Sequence, residues 1–225
     1  MNAATDKTRN LILRTAEKLF AERGIDRVSI RQINLAAGQK NSSATQYHFD
    51  NKIGLLEALF DERMAPINER RLEMLGLLEK IGSDIDLRRL VEVIVMPVAE
   101  ELQSHGAGYY YIPIVAQVSG HPDYHAIARH RDRHATGLQQ LLTLIRQQVG
   151  DIPQDVIMDR FGMALRQVFS EMADYQRLHA TGKPFEETGM SLFVNGLIDA
   201  VTAQFAAPVS EATRRVLDRK KKKSA

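Results

Sequence analysis

The chain of 225 residues contains no cysteine and no tryptophan. Without cysteine it forms no disulfide, and it offers neither a thiol nucleophile nor thiolate ligands for zinc or an iron–sulfur cluster. Its longest apolar run, Val93 to Ala99, contains Pro97 and falls far short of the about 20 residues of a membrane-spanning helix. The N-terminus has charges every few residues and lacks the apolar core of a signal peptide. We therefore expect a cytoplasmic protein with no membrane partner.

Charge is distributed unevenly along the chain, although the formal net charge is only +2. Residues 1–52 carry nine Lys and Arg against five Asp and Glu, whereas residues 53–213 carry 14 against 22. Residues 214–225 are basic again, with seven against one. A basic N-terminal segment on an acidic body predicts that this first segment binds a polyanion. The alternative is chance variation of surface charge.

The apolar residues repeat with the period of a helix, and no segment has the alternation of a strand. We therefore predict an all-α fold. Ser29 and Gln32 have the spacing of a capping box, and Gly38 marks the end of the helix that this box begins. The predicted helices cover residues 8–23, 29–37, 42–48, 52–79, 84–103, 108–119, 123–149, 153–180 and 185–206. The first of two predicted domains covers residues 1–52 and the second covers 53–208, followed by a basic, flexible tail over 209–225.

The first three helices are short, and a turn containing Gly38 joins the second to the third. This order predicts a helix-turn-helix motif, whose last helix enters the major groove and reads base edges with its N-terminal residues. Polar and amide side chains suit that role. The predicted base-contacting residues are Lys40, Asn41, Ser42, Ser43, Thr45 and Gln46, and Arg31 and Lys52 are predicted to neutralise phosphates. The alternative is an ordinary corner of three packed helices.

Several short stretches carry a family resemblance. They are Ala16–Gly24, Ser29–Ile33, Ala37–Gly38, Tyr47–Lys52 and Leu55–Leu56. Together they resemble the N-terminal domain of the tetracycline-repressor (TetR) family over about residues 9–57. The resemblance implies a DNA-binding transcriptional regulator with a larger C-terminal helical domain for ligand binding and dimerisation. It also implies that Tyr47 and Lys52 hold DNA phosphates, with His48 beside them.

The chain departs from the usual family pattern in three places. Asp50 stands where Gly or Pro is common, and Asn34 stands where a small apolar residue is usual. The segment between Gly38 and Tyr47 is one residue longer than in many members. These departures leave the predicted fold intact and make the operator sequence unpredictable.

The resemblance implies a homodimer that forms through the last two long helices of the body. The sequence agrees, since these helices carry apolar stripes with small residues that allow close approach. The predicted interface residues are Val168, Met172, Phe193, Gly196, Leu197, Ala200 and Gln204. The alternative is that such stripes belong to the core of a single chain.

The resemblance also implies a pocket among the central helices for a small-molecule effector. Aromatic residues and methionine with a few polar groups suit an apolar ligand that is held by one or two hydrogen bonds. The predicted ligand-binding residues are Met96, Tyr109, Tyr110, Tyr111, Gln117, Phe161, Met163, Arg166 and Phe169. Each of them has plain core packing as its alternative.

The sequence predicts no catalytic residue, cofactor or metal site. His121 and His125 precede His130 and His134 by nine residues, which places the two pairs on opposite faces of one helix and argues against a shared metal ion. The most direct interpretation is a repressor that leaves a palindromic operator when a small apolar ligand binds. One alternative is a helical ligand-binding protein or enzyme whose N-terminal helices do not read DNA. Another is a DNA-binding protein without a ligand.

Overall fold

A computed structural model describes residues 3–39, 44–82, 85–105, 110–121, 136–179 and 186–224, and every regular element in these ranges is an α-helix. The predicted all-α fold is confirmed. The helices are α1 (Ala3–Arg23), α2 (Ile30–Ala36), α3 (Ala44–Phe49), α4 (Lys52–Ile81), α5 (Leu87–His105), α6 (Tyr111–Ser119), α7 (Thr136–Val149), α8 (Gln154–Leu178), α9 (Glu187–Ala206) and α10 (Glu211–Ser224).

The local signals at the start of α2 act as the sequence predicts. The Ser29 hydroxyl oxygen accepts a hydrogen bond from the Gln32 backbone N–H at 3.3 Å, and the Gln32 side-chain oxygen accepts one from the Ser29 N–H at 2.8 Å. These reciprocal bonds satisfy two N–H groups that a helix start leaves free, and they confirm the capping box. After α2, Gly38 has a φ of +63°, a left-handed conformation that ends helices.

α4 runs unbroken for 30 residues, with Pro66 inside it, and belongs to both parts of the molecule. Its first turns contact α1 and α3, and the remainder packs on α5 and α7. In the body, α5 lies against α9, and α6 lies against α8. Buried aliphatic residues of these helices, such as Val95, Ile114 and Ile198, form one continuous core with the N-terminal helices. The predicted domain boundary at residue 52 therefore falls in the first turn of a shared helix.

The two ends of α8 meet different parts of the chain. Near its start, the Arg160 guanidinium donates to the Phe205 carbonyl at 2.9 Å, and the Gln204 amide donates to the Arg160 carbonyl at 3.1 Å. The Lys220 ammonium of α10 pairs with Asp155 at 2.6 Å. Residues around Asp174 near its end line a cleft with α1. Since a helix rises 1.5 Å per residue, the α10 contact at Asp155 and the cleft beside α1 at Asp174 lie about 28 Å apart along α8.

The C-terminal segment corrects a prediction. The basic tail over residues 209–225 was expected to be flexible, but Glu211–Ser224 forms α10. The Ser210 hydroxyl accepts from the Thr213 N–H at 3.2 Å, and Arg215 pairs with Glu211 at 2.9 Å. Together with the Lys220–Asp155 pair, these contacts offset the repulsion between neighbouring Lys and Arg side chains of α10.

Within the described ranges, no helix taken alone has the length and apolar composition needed to cross a membrane. The pair Glu187–Ala206 and Glu211–Lys220 meets that criterion jointly, by length and composition only, with a bend of 59° between its members.

Candidate nucleic-acid interface

A buried pair of polar side chains connects α2 to α3. The Asn34 side-chain oxygen accepts the Thr45 hydroxyl hydrogen at 2.6 Å and the Thr45 backbone N–H at 3.2 Å. The N–H lies in the first turn of α3, so Asn34 caps this helix from another element. The bond fixes where α3 begins relative to α2, and it accounts for an amide at a position that is usually apolar in the family resembled.

Thr45 is therefore not a base-contacting residue, and that prediction was wrong. Its side chain is fully buried, with 0% exposed, because it is the inward-facing partner of Asn34. Polarity and position in the motif suggested the groove, but a buried hydroxyl that donates to a carboxamide cannot reach a base. Gln46, the next residue, lies on the exposed side of α3.

The junction between α3 and α4 also depends on local geometry. Asp50 has a φ of +65°, a conformation that glycine adopts freely and aspartate tolerates. Asn51 caps α4, since its side-chain oxygen accepts from the N–H groups of Ile53 at 2.8 Å and Gly54 at 3.0 Å. A Cβ on Gly54 would overlap the Phe49 carbonyl oxygen. Glycine thus lets α4 press directly against the end of α3.

Three of the predicted DNA-contacting residues are exposed. Tyr47 has 79% of its surface accessible, and Arg31 and Gln46 are exposed as well. His48 is half-buried, with its ring edge-on to that of Tyr47 at 5.0 Å between centroids. The predicted residues Lys40, Asn41, Ser42 and Ser43 lie outside the described residues.

Two cations flank this surface and rest on aromatic rings. The Lys52 ammonium lies 5.9 Å from the centroid of Phe20, and the Arg9 guanidinium lies 5.2 Å from that of Phe49. Burial lowers the pKa of Lys52, while the nearby Asp26 carboxylate raises it. Arg9 was missed by sequence reasoning. Arg9 lies in α1, far from Phe49 in the sequence. No local pattern therefore indicated that its guanidinium reaches the end of α3.

Ion pairs join the N-terminal helices to the body. Arg63 of α4 donates two hydrogen bonds to the Glu17 carboxylate of α1, at 2.9 and 2.7 Å, and Arg14 pairs with Glu62 at 3.0 Å. Glu17 is only 3% exposed. Its burial raises its pKa to about 7, opposed by the positive charge of Arg14, and Glu62 raises it further. A titratable group therefore lies inside the joint between α1 and α4.

A second connection runs from α6 to the end of α1. The Gln117 side-chain amide donates to the Phe20 carbonyl at 3.2 Å, and its oxygen accepts from the Ile25 N–H at 2.9 Å. His121 at the end of the same segment contacts Asp26 through Nε2 at 3.0 Å. Gln117 was predicted to bind a ligand, but in the structure its amide holds the turn that follows α1.

A cleft of about 480 Å³ lies between α1, α6 and α8. Each of the three helices contributes an alanine to its walls. The lining also includes two predicted ligand-binding residues, Tyr110 and Gln117, and three charged residues, Glu22, Asp174 and Arg177. The cleft therefore touches both the body and the last turn of α1.

The other predicted ligand-binding residues do not converge. Tyr111, Phe161 and Phe169 are buried in the core, and Met96 is half-buried against it. Met163 and Arg166 lie on the outer face of α8, so their placement in an enclosed pocket was wrong. Helical period alone did not show which face of α8 points inward. Tyr109 lies outside the described residues.

The predicted dimer interface needs a similar correction. Val168, Met172 and Leu197 are buried within a single chain, so they cannot form an outer contact surface. Phe193 is half-buried and stacks on Tyr175 at 4.4 Å, and Gln204 is bonded to Arg160. Gly196 and Ala200 are exposed, on the same face of α9 as the exposed Leu192 and Ala203.

Similarity to known proteins agrees with this arrangement. Residues 12–59 match the family described as bacterial regulatory proteins, tetR family. None of the curated proteins is significantly similar to the chain in sequence. A solved Rhodococcus sp. protein described as a TetR-family transcriptional regulator is 19% identical with a TM-score of 0.53, over 87% of this chain and 99% of that one.

Two further solved structures share the fold. A Clostridium perfringens protein described as a fatty acid metabolism regulator is 14% identical, with a TM-score of 0.52 over 89% of this chain and 100% of that one. A Mesorhizobium loti protein described as a TetR-family transcriptional regulator is 14% identical, with a TM-score of 0.51 over 90% and 98% of the two chains. At these identities the likeness shows a common fold over most of the chain.

Proposed function

Because the chain belongs, through its N-terminal domain, to the TetR family of bacterial regulatory proteins, we propose that it is a repressor which leaves its operator when a small molecule binds the body. Its fold is that of a DNA-binding regulator. The observation that carries the proposal is the surface at the end of the motif. There, the exposed Gln46 and Tyr47 project from a helix whose position is fixed by the buried Asn34–Thr45 pair.

The operator is proposed to be a palindrome read by two copies of the chain. One short helix contacts few base pairs, whereas two helices fixed about 34 Å apart read two half-sites on one face of DNA. The outer face of α9 supports this assembly. Leu192 is 76% exposed there, and Gly196, Ala200 and Ala203 leave the backbone open to close approach by a second helix.

Light scattering tests the homodimer. We expect twice the chain mass at micromolar concentration, and a monomer for Leu192→Glu, because a carboxylate on a closely packed apolar face would have to be desolvated. Val216→Glu is the control, since Val216 is an apolar residue that is 62% exposed on a different helix, α10. A monomeric parent chain, or a dimer that Leu192→Glu leaves intact, contradicts this part of the proposal.

Repression follows when the dimer occupies DNA that transcription needs. A reporter gene placed behind a bound palindrome tests it. Expression should fall when the protein is present and should return with Tyr47→Ala, which removes a proposed phosphate contact. Expression that rises with the protein would instead indicate an activator.

The effector is proposed to act through α6. This helix contacts the core on one side and holds the end of α1 through Gln117 on the other. The cleft of about 480 Å³ beside it gives α6 room to shift relative to α1. A ligand that prefers the shifted arrangement would draw the two recognition helices away from operator spacing.

Gln117→Leu tests this route, because leucine keeps the volume and removes both hydrogen bonds to the α1 turn. For a compound that releases DNA from the parent protein, the variant should bind the compound with similar affinity and release DNA poorly. Val118→Ala is a control that alters packing on the same helix without touching those bonds. Equal release by Gln117→Leu and the parent protein would contradict coupling through α6.

A further inference from the structure

Arg71 is a buried cation that has no anionic partner within the part of the chain that the structure describes. This side chain of α4 contacts α5 at Val93 and α7 at Gly137, and only 1% of it is exposed. Its Nε donates to the Val93 carbonyl at 3.3 Å, and its Nη1 has no hydrogen-bond partner. Among the described residues, no carboxylate forms an ion pair with this guanidinium. Buried charges in proteins are normally paired, so an unpaired arginine needs a physical explanation.

Two other arginines of α4 show what a structural role requires. Arg63 makes two hydrogen bonds to Glu17. Arg70, immediately before Arg71, donates to Glu100 at 2.7 and 3.0 Å. Both are more exposed than Arg71, yet each has a carboxylate. Arg71 is the most buried of the three arginines, and burial makes an anionic partner most necessary. It is nevertheless the one for which the described residues supply no carboxylate.

The chain makes room for Arg71 rather than neutralising it. A Cβ on Gly137 would lie 3.1 Å from the Arg71 Cδ and 2.9 Å from the Asn68 side-chain oxygen. That oxygen accepts from the Gly137 N–H at 3.3 Å, while the Asn68 amide donates to the Thr136 hydroxyl at 3.4 Å. Asn68 thus serves α7 and not the guanidinium. Burial lowers the pKa of Arg71 to about 10, which still leaves the side chain protonated at neutral pH.

We propose that Arg71 binds the anionic group of a small organic molecule, such as a carboxylate. A guanidinium presents paired N–H donors in a fixed plane that matches a carboxylate, and a low-polarity interior strengthens the charge-assisted bonds. Tyr111 of α6 is close enough to influence the pKa of Arg71, and its ring packs edge-on against Phe60 of α4 at 5.4 Å between centroids, which adds apolar surface on that side. The ligand class is therefore an amphipathic organic anion, which adds a charge to the apolar ligand expected from the sequence.

The position of Arg71 also fits the proposed regulation, and this part rests on the proposed function. Tyr111, which raises the pKa of Arg71, begins α6, and Gln117 in the same helix holds the end of α1. An anion between α4 and α6 would therefore reach the joint with the DNA-binding helices through one rigid element. The binding of the anion itself does not depend on DNA.

The stability of Arg71→Met without ligand is the first test. If the buried cation is unpaired, an apolar side chain of similar length should keep or raise the melting temperature. If Arg71 has a structural partner, the substitution should lower the melting temperature by many degrees, and that result would overturn the proposal. Arg70→Met is the matched control and should lower it, because Arg70 has a partner in Glu100.

Thermal shifts with defined probes are the second test, and they compare the parent chain with Arg71→Lys and Arg71→Met. The probes are benzoate and octanoate, each compared with its uncharged amide. At about ten times the dissociation constant, a bound carboxylate should raise the melting temperature of a chain this size by about 4 °C. The amides should give no rise, and Arg71→Lys should respond less than the parent because it keeps the charge without the planar fork.

Three results would overturn the proposal. They are no shift with either carboxylate at millimolar concentration, equal shifts with acid and amide, and an undiminished shift in Arg71→Met. Release of DNA is measured separately with the same probes. A carboxylate that binds through Arg71 without releasing DNA would contradict the effector role proposed above and leave the anion site standing.

Discussion

The Thr45 hydroxyl donates a hydrogen bond of 2.6 Å to the side-chain oxygen of Asn34, and both residues are buried between α2 and α3. This contact makes a polar pair the structural centre of the DNA-binding motif. Loss of either member leaves a buried polar group without its partner, which costs about 1–3 kcal/mol.

We therefore expect Asn34→Leu and Thr45→Val to lower the free energy of unfolding by about 1–3 kcal/mol each. Both should weaken DNA binding for all sequences alike, because α3 loses its fixed position. Urea unfolding and binding to a set of altered operators measure the two effects. A changed base preference in Thr45→Val would indicate that Thr45 contacts a base, and would contradict its burial against Asn34.

Replacement of Gln46 and replacement of Lys52 should affect DNA binding in different ways. Gln46→Ala should cost about 1–3 kcal/mol on the base pair it contacts and relax the preference there. Lys52→Ala should weaken binding to every sequence and reduce the salt slope by about 1, since it removes one phosphate contact. Binding isotherms at several salt concentrations separate the two. An unchanged salt slope in Lys52→Ala would argue that its ammonium only packs on Phe20.

Gly54 and Gly76 lie on the same helix and make a matched pair. Alanine at Gly54 would collide with the Phe49 carbonyl oxygen, whereas alanine at Gly76 meets nothing within 4 Å. Gly54→Ala should therefore destabilise the protein and move α3 relative to α4, with loss of DNA affinity. Gly76→Ala should stabilise it by up to about 1 kcal/mol through helix propensity. Similar melting temperatures for both variants would contradict the close approach of α3 and α4.

The Glu17 carboxyl predicts a pH dependence of stability. Burial raises its pKa to about 7 in the folded chain, so the folded state binds the proton more tightly than the unfolded state does. Stability contributed by the protonated group is present at low pH and is lost as pH rises towards 7. Glu17→Gln should remove this loss, worth up to about 3 kcal/mol.

Urea unfolding at pH 5, 6, 7 and 8 measures the difference between the parent chain and Glu17→Gln. Glu22→Gln is the control, because Glu22 is an exposed carboxylate on the same helix and should leave the profile unchanged. Parallel profiles for the parent and Glu17→Gln would show that Glu17 stays ionised beside Arg63 over this range.

The basic helix α10 should not contribute to operator affinity. It contacts the start of α8, about 28 Å along that helix from the residues that line the cleft with α1. Deletion of residues 219–225 should therefore leave affinity and salt slope unchanged on a duplex of about 20 base pairs. A salt slope that falls by several units in the truncated chain would place the tail on the same DNA.

The features that sequence predicted correctly are local ones. The Ser29–Gln32 capping box and the end of α2 at Gly38 depend on residues a few positions apart, so their spacing carried the information. The Tyr47–Lys52 stretch identified the motif through family resemblance. The all-α fold followed from helical periodicity.

The features that sequence missed depend on distant partners. Thr45 looked like a base contact because its acceptor, Asn34, lies on another helix. The apolar stripe that includes Val168 and Met172 was compatible with a dimer interface or with the core of one chain. The packing of α8 buries both residues in the core. The charge run at the C-terminus suggested disorder because its partner Asp155 lies 65 residues earlier.

The central claim is that two copies of the motif read a palindrome. Selection of bound fragments from randomised duplex DNA, at low and at near-physiological salt, tests it most directly. If two copies read a palindrome, one palindrome should be enriched at both salt concentrations, with half-sites centred about one helical turn apart. Binding that disappears at the higher salt and enriches no sequence would leave only counterion release by a basic surface, and would contradict sequence-specific binding by a dimer.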